Sequence, residues 1–341
     1  MLIAVNYHYV RPAFAAHGRG AQGVTPSELA RQIELLARVG SIVSADQVRR
    51  AVLGLGALPE RAVLVTFDDG LREQYEFALP VLARLGVPAV FFVNTLPIAS
   101  GTVCSVHKIH LLLSHLEPAE LEAMLQRVAR SLGLGAELRV GDDEPAAHYL
   151  YDTPQVARIK YLLNLVLGPA ERDRLVGECF VELFGDEAEV SAGLYMEPAQ
   201  VVALAEADFL GSHGHAHQPT GLLAPGEMER DVASSFACLE QWTGQRPYAF
   251  SYPYGSRDAC SREAALAVAG EGGVFALTME RAGNRDVDAP YHLARFSCND
   301  LPGGRSPRYA LDTLFDEVPG ATWCRTPEMR DAGAARRAAH R

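Results

Sequence analysis

Val63 to Gly70 reads VLVTFDDG, and its reading decides the fold. Val63, Leu64, Val65 and Thr66 favour extended backbone and run through Phe67 into two adjacent carboxylates and a glycine. That pattern predicts a buried strand that stops abruptly in a polar turn. In α/β proteins the carboxyl ends of strands face the ligand crevice or barrel mouth, so Asp68 and Asp69 are expected at a site. Two neighbouring carboxylates repel, and burying both uncompensated is costly; a bound cation removes that cost. One carboxylate can then bind metal while the other handles a proton. The competing reading is an ordinary Asp-Asp-Gly turn with Gly70 at positive φ.

A second stretch supplies partners. Phe209 to Pro219 reads FLGSHGHAHQP and holds three of the chain's 11 histidines. The spacing of His213 and His217 can put two imidazoles on one side of a turn, while His215 alternates with them. Two imidazoles and a carboxylate make a facial triad with positions open to water and substrate. The alternative is a solvated histidine-rich loop.

TFDDG, HGHAH and the later FSYPYG at Phe250–Gly255 together resemble the polysaccharide deacetylase family, also called NodB-homology or carbohydrate esterase family 4. The resemblance implies a distorted (β/α)7 barrel that removes acetyl groups from sugars with one divalent metal. It places the catalytic base on Asp68 and the metal ligands on Asp69, His213 and His217. Gly214 stands where the family often has Ser or Thr. In the third motif, R-x-P-Y, Pro253 and Tyr254 match and Ser251 stands where the Arg would be; many bacterial members carry Y-P-Y-G here. The resemblance makes the backbone N–H of Tyr254 the oxyanion donor. Tyr252, Pro253 and Arg295 are expected around the substrate, and Arg295 is also a substitute for the missing arginine in holding Asp68. The family's acid histidine, from an L-x-H motif, has no match: Leu293-Ala294-Arg295 stands there. The acid is left open between His8, His292 and His215. His8 leads because it ends a strand, and first and last strands of a closed barrel are neighbours; Asp286 or Asp288 would orient His292.

Composition fits an ordinary globular chain, 48% hydrophobic and 21% charged. A formal charge of −11 argues against nucleic acid or an anionic membrane as main partner. The 6 cysteines are scattered with no CxxC pair, which suits reduced thiols. MLIAVNYHYV has no basic region and too short an apolar run for a signal peptide, and no stretch reaches membrane-span length. The expectation is a cytoplasmic protein.

The barrel is expected over residues 1–100 and 197–310, with a mainly helical insertion over 101–196 and a frayed tail over 329–341. A strand is expected over Leu2–Tyr9, a helix from Val24 with Ser27 as its N-cap, and another over Arg72–Leu85 stopped by Gly86. Asn94 and Thr95 follow a strand and are expected to face the site. His107 and His110 read as packed or capping residues. Tyr149, Tyr151, Asp152, Lys160 and Tyr161 offer a rim for a sugar.

The expected ion is zinc, with manganese, cobalt, nickel or iron as alternatives. The leading function is a metal-dependent deacetylase of an N-acetylated sugar, as a cytoplasmic precursor in surface polysaccharide synthesis. Its rivals are a deformylase or amidase on another amide, a non-catalytic sugar-binding relative, and a non-haem iron oxygenase suggested by the triad alone.

Overall fold

The computed structural model describes residues 1–14, 23–134, 145 and 152–323. Residues Tyr149 and Tyr151 and the 329–341 tail lie outside these. The described residues divide into two compact units, one falling within 1–12, 24–99 and 194–341 and the other within 13–23 and 100–193.

The first unit is a parallel sheet. Its strands are β1 Leu2–Tyr7, β2 Ser41–Ile42, β3 Ala62–Phe67, β4 Val90–Val93, β5 Leu210–Ser212, β6 Ala249–Ser251, β7 Phe275–Leu277 and β8 Arg295–Ser297. They lie in the order β8-β1-β3-β4-β5-β6-β7, with short β2 also paired to β3. The far edges nearly meet: Leu277 bridges in parallel to Leu293, just ahead of β8, with Leu293 N–H donating to the Ala276 carbonyl at 3.0 Å. The result is a nearly closed seven-strand barrel, the distorted (β/α)7 architecture expected.

Helices alternate with strands: α1 Pro26–Val39, α2 Ala45–Val52, α3 Leu79–Leu85 and α4 Thr95–Ser100. The second unit carries α5 Ser105–His115, α6 Pro118–Ser131, α7 Pro154–Tyr161, α8 Pro169–Phe184 and α9 Glu187–Leu194, the last ending at the unit boundary. The first unit resumes with α10 Pro198–Glu206, α11 Pro225–Thr243, α12 Arg262–Gly270 and α13 Leu314–Glu317.

Side-chain alternation explains both faces of the sheet. Ile3, Val5, Tyr7, Val63, Val65 and Phe67 pack with Leu29, Ile33 and Leu36 of α1 and Val81 and Leu82 of α3. Leu2, Ala4, Ala62, Leu64, Phe92 and Ala249 share the opposite cluster. Continuing along that second face, the residue type changes at the carboxyl ends: Asn6 follows Ala4, Thr66 and Asp68 follow Leu64, and Ser251 follows Ala249. Arg295 alternates with Phe296, which packs on the helix-facing side. One face of the barrel therefore turns from apolar to polar toward the mouth.

Three local expectations change. The N-cap of α1 is Thr25, with a reciprocal capping box to Glu28; Pro26 fixes the first helical φ and sets the cap two residues before Ser27. β1 ends at Tyr7, where Asp68 N–H closes the ladder on the Tyr7 carbonyl at 3.0 Å, so His8 stands outside the strand. The helix after DDG is not uniformly α: Gln74–Ala78 is π-helical, a local widening that recurs at functional sites. Gln74 is buried there, and its amide donates to the His8 carbonyl at 2.9 Å and to that of Asp68. Gly86 ends α3 in the left-handed region, as expected.

Candidate active site

Three turns at the carboxyl ends of β3, β5 and β6 build the site. Each holds a non-glycine residue at positive φ followed or preceded closely by a left-handed glycine: Asp69 (83°) beside Gly70, His217 (53°) near Gly214, and Tyr254 (62°) beside Gly255. Among the described residues only Asp208 shares that state. The conformation costs about 1–3 kcal/mol per residue and persists where surroundings over-determine it, which marks functional sites. The glycines have no room for side chains. A Cβ on Gly70 would stand 3.0 Å from Val93, and one on Gly255 2.6 Å from Met279.

Asp69, His213 and His217 are all buried, and one ligand atom from each lies within 4.8 Å of the others. Asp69 Oδ1 is 3.4 Å from His213 Nε2 and 3.2 Å from His217 Nε2. Ligands ~2.0–2.1 Å from one ion stand roughly 3.0–3.4 Å apart at tetrahedral or octahedral angles. The donor set and its separations thus fit a single divalent cation. His213 Nδ1 meets the Ser251 carbonyl at 2.7 Å, which puts its proton on Nδ1 and leaves the Nε2 lone pair to the centre. Burial pushes His213 toward neutrality, but Asp68 and Asp69 outweigh it and raise its pKa.

Asp68 is held differently. Arg295 grips it with two hydrogen bonds, Nη1 to Oδ1 at 2.8 Å and Nη2 to Oδ2 at 2.6 Å. Asn6 Nδ2 donates to Oδ2 at 3.0 Å and Ser251 Oγ at 3.3 Å. Arg295 also reaches the Ser251 hydroxyl at 2.9 Å and Thr66 Oγ1 at 3.2 Å. Ser251 stands where an arginine would be in the third motif; a guanidinium arrives from β8 instead and rests on that small side chain. Burial pushes the Asp68 pKa up, yet Arg295, His213 and, more weakly, His8 pull it down, and the net direction is downward. The carboxylate is ionised throughout the neutral range.

The remaining expected residues separate. Arg295 is fully buried and serves Asp68 rather than a substrate surface. Tyr252 is also fully buried, its ring packed edge-on against Phe250 and stacked on His292; it belongs to the core, because its side chain points back among α11 and α12 residues such as Phe236 and Val268. Pro253 is buried too, its ring beside Gly214 of the histidine loop. His292 is buried with Nε2 on the Cys260 carbonyl at 2.7 Å, and burial lowers its pKa. That is the setting of a packed histidine, and it tells against the acid role considered for it. His215 meets Thr95 Oγ1 through Nδ1 at 2.7 Å, and burial lowers its pKa as well. His8 is exposed at the end of β1, close enough for its charge to act on Asp68. Tyr254 is 38% exposed, with its ring centroid 5.2 Å from that of His217. Asn94 and Thr95 are both buried behind the loop.

Sequence reasoning missed Asn6 and the hydroxyl of Ser251. The available signal for Asn6 was a lone amide in the apolar run LIAVNY.

A family model described as polysaccharide deacetylase matches residues 56–129 and 185–269, which include both carboxylates and both histidines. The chain belongs to the polysaccharide deacetylase family. A poly-beta-1,6-N-acetyl-D-glucosamine N-deacetylase of Escherichia coli K12 is 36% identical over 90 residues, 26% of this chain and 13% of the length of that relative. Solved structures share the fold. The Streptococcus pyogenes deacetylase PplD in complex with acetate has a TM-score of 0.56 at 12% identity, over 93% of this chain and 97% of that one. IcaB from Ammonifex degensii has a TM-score of 0.52 at 19% identity, over 87% and 91%. A de-N-acetylase from Aggregatibacter actinomycetemcomitans has 0.51 at 15%, over 86% and 94%. Within that family the chain departs from the third and last motifs, and the Arg295–Ser251–Asp68 contacts are where the departure is absorbed.

Proposed function

We propose that this chain is a metal-dependent hydrolase that removes acetyl groups from an N-acetylated sugar polymer or its precursor, with N-acetylglucosamine units as the first substrate to test. The observation that carries the reading is the pairing of two differently held carboxylates. Asp69 faces two imidazoles, whereas Asp68, one residue earlier, is clamped by Arg295. Asp69, His213 and His217 would hold one divalent ion, zinc being the first choice, which supplies Lewis-acid polarisation of the amide carbonyl and of the attacking water.

Asp68 accepts the proton of that water. Four donors fix its orientation and keep it ionised, so proton acceptance depends on placement more than on basicity. The N–H of Tyr254, a residue of the turn after β6 whose ring lies beside that of His217, is the proposed donor to the developing oxyanion. His8 is the proposed acid for the leaving amine: it is exposed and electrostatically in reach of Asp68. We also place the chain in the cytoplasm, because its 6 cysteines are scattered along the sequence with no CxxC pair, a pattern that suits reduced thiols. No helix of the described residues is long and apolar enough to cross a membrane.

The test measures acetate release from β-1,6-linked and other N-acetylglucosamine oligomers together with metal content. The expected result is acetate release that stops in a chelator and returns with an added divalent ion. His217→Ala should lose the ion and the activity together. Acetate release by a fully stripped chain, or by His217→Ala at wild-type rate, would overturn the reading.

A further inference from the structure

The loop that carries both histidine ligands is suspended from one face of α11. Asp231, nine-tenths buried on that helix, accepts the backbone N–H groups of two consecutive loop residues, His215 at 3.0 Å to Oδ2 and Ala216 at 2.8 Å to Oδ1. One helical turn further, Ser235 Oγ meets Ser212 Oγ, and Ser212 Oγ takes the Gly214 N–H at 3.4 Å. Three successive loop N–H groups, 214, 215 and 216, thus end on side chains belonging to, or supported by, a single helix face. The carbonyl side is tied as firmly to the start of α4. Thr95 N–H reaches the Gly214 carbonyl at 3.3 Å and Leu96 N–H the His215 carbonyl at 2.8 Å. Gly214 lies at φ +73°, and a Cβ there would stand 2.9 Å from Asp231 Oδ2. The close approach of the carboxylate to the loop therefore requires glycine at 214 for space as well as for φ.

We infer that Asp231 is a positioning residue for the metal-binding loop: by fixing the peptides between His213 and His217 it sets the separation of the two imidazoles, and so the affinity for the ion. The inference rests on the metal-centre reading above. A buried carboxylate is costly to strand, and this one is compensated by charge-assisted bonds to two backbone donors. Without it those two N–H groups lose their acceptors, and the cheapest relief is rotation of the loop peptides, which turns the rings they carry. Side chains that orient metal ligands from behind typically govern affinity by 10–100-fold. The packing role is separable, since α11 also contributes Val232, Phe236 and Leu239 to the core, and these remain.

The experiment is a competition titration of the full chain with zinc and a chromophoric chelator, run on wild type, Asp231→Ala and Asp231→Asn. Thermal denaturation of the metal-free proteins and the visible spectrum of the cobalt-loaded forms accompany it. The expected result is a dissociation constant for zinc raised by about 10–100-fold in both variants, with an altered cobalt spectrum. Asp231→Asn keeps the shape and one acceptor, and serves if Asp231→Ala fails to fold. A lower melting temperature with unchanged zinc affinity and an unchanged cobalt spectrum would assign Asp231 to packing alone and overturn the inference. A wild-type chain that binds no zinc or cobalt would overturn the metal-centre reading itself, and this inference with it.

Discussion

The two compact units spend buried polarity in opposite ways. The helical unit closes over an apolar cluster of Ile109, Leu112, Leu121, Leu125, Val156, Leu163, Leu175 and Val176. Its buried cation, Arg172, pairs with Asp173, whose side chain is 41% exposed, and the Ser105 hydroxyl adds to the same carboxylate oxygen. The barrel unit gathers Asp68, Asp69, His213, His217 and Arg295 below the surface at one end. All four non-glycine residues at positive φ among the described residues fall in it. Buried charge and backbone strain both oppose folding; three of the four strained residues join the buried charges at one mouth, with only Asp208, ahead of β5, elsewhere, and this sets the candidate site apart from the part of the chain that packs.

The largest effect expected lies between two neighbours. Asp68→Asn should retain the divalent ion and lose roughly 10²–10⁴-fold in kcat, the usual weight of a general base. Asp69→Asn should instead release the ion. Metal analysis and acetate kinetics on the two variants check this; equal metal loss in both would erase the distinction drawn between the two carboxylates.

Next comes the clamp. Arg295→Met leaves Asp68 buried without its cation, a loss of about 3–5 kcal/mol for a broken buried pair. The pH dependence has a definite sign. The folded pKa of Asp68 is depressed, so its stabilising contribution is complete above the unfolded aspartate value, ~3.9, and disappears as pH falls through the lower folded value. The melting-temperature gap between wild type and Arg295→Met should therefore be widest near neutrality and shrink toward about pH 3. A gap that stays constant with pH would mean that the arginine stabilises through packing alone.

The smallest effect belongs to the helical unit. Arg172→Met keeps the packed stem and leaves Asp173 to water, so it should cost on the order of 1 kcal/mol or less. A loss as large as that of Arg295→Met would show that burial at the mouth is not what makes the barrel pair costly to break.

Much of this was legible along the chain. Parallel strands are buried on both faces, so VLVTF and VFFV stand out as continuous apolar runs, and the two carboxylates and the two histidines each lie within a few residues of one another. The same locality misled at FSYPYG. Tyr252 and Pro253 sit between functional positions in sequence, but extended backbone alternates sides, and Tyr252 points into the core while Ser251 faces Asp68. His292 lies near an expected motif yet is tied to a backbone carbonyl. The N-cap of α1 moved because Pro26 fixes φ, a local signal that the serine overshadowed.

The sequence by itself determined the strand-ending carboxylate pair, the histidine pair, the parallel α/β class and the family. Those are properties of short stretches, and short-range spacing carries them. Arg295 was expected beside Asp68, but only the tertiary structure decided that it reaches across 227 positions with two hydrogen bonds, that Asn6 and Ser251 complete the set of donors, and that Asp231 holds the histidine loop. Those partners come from separate strands and a helix. Barrel closure and the register of β1, β3, β6 and β8 bring them together, and no spacing along the chain encodes which inward-facing side chains will share one layer.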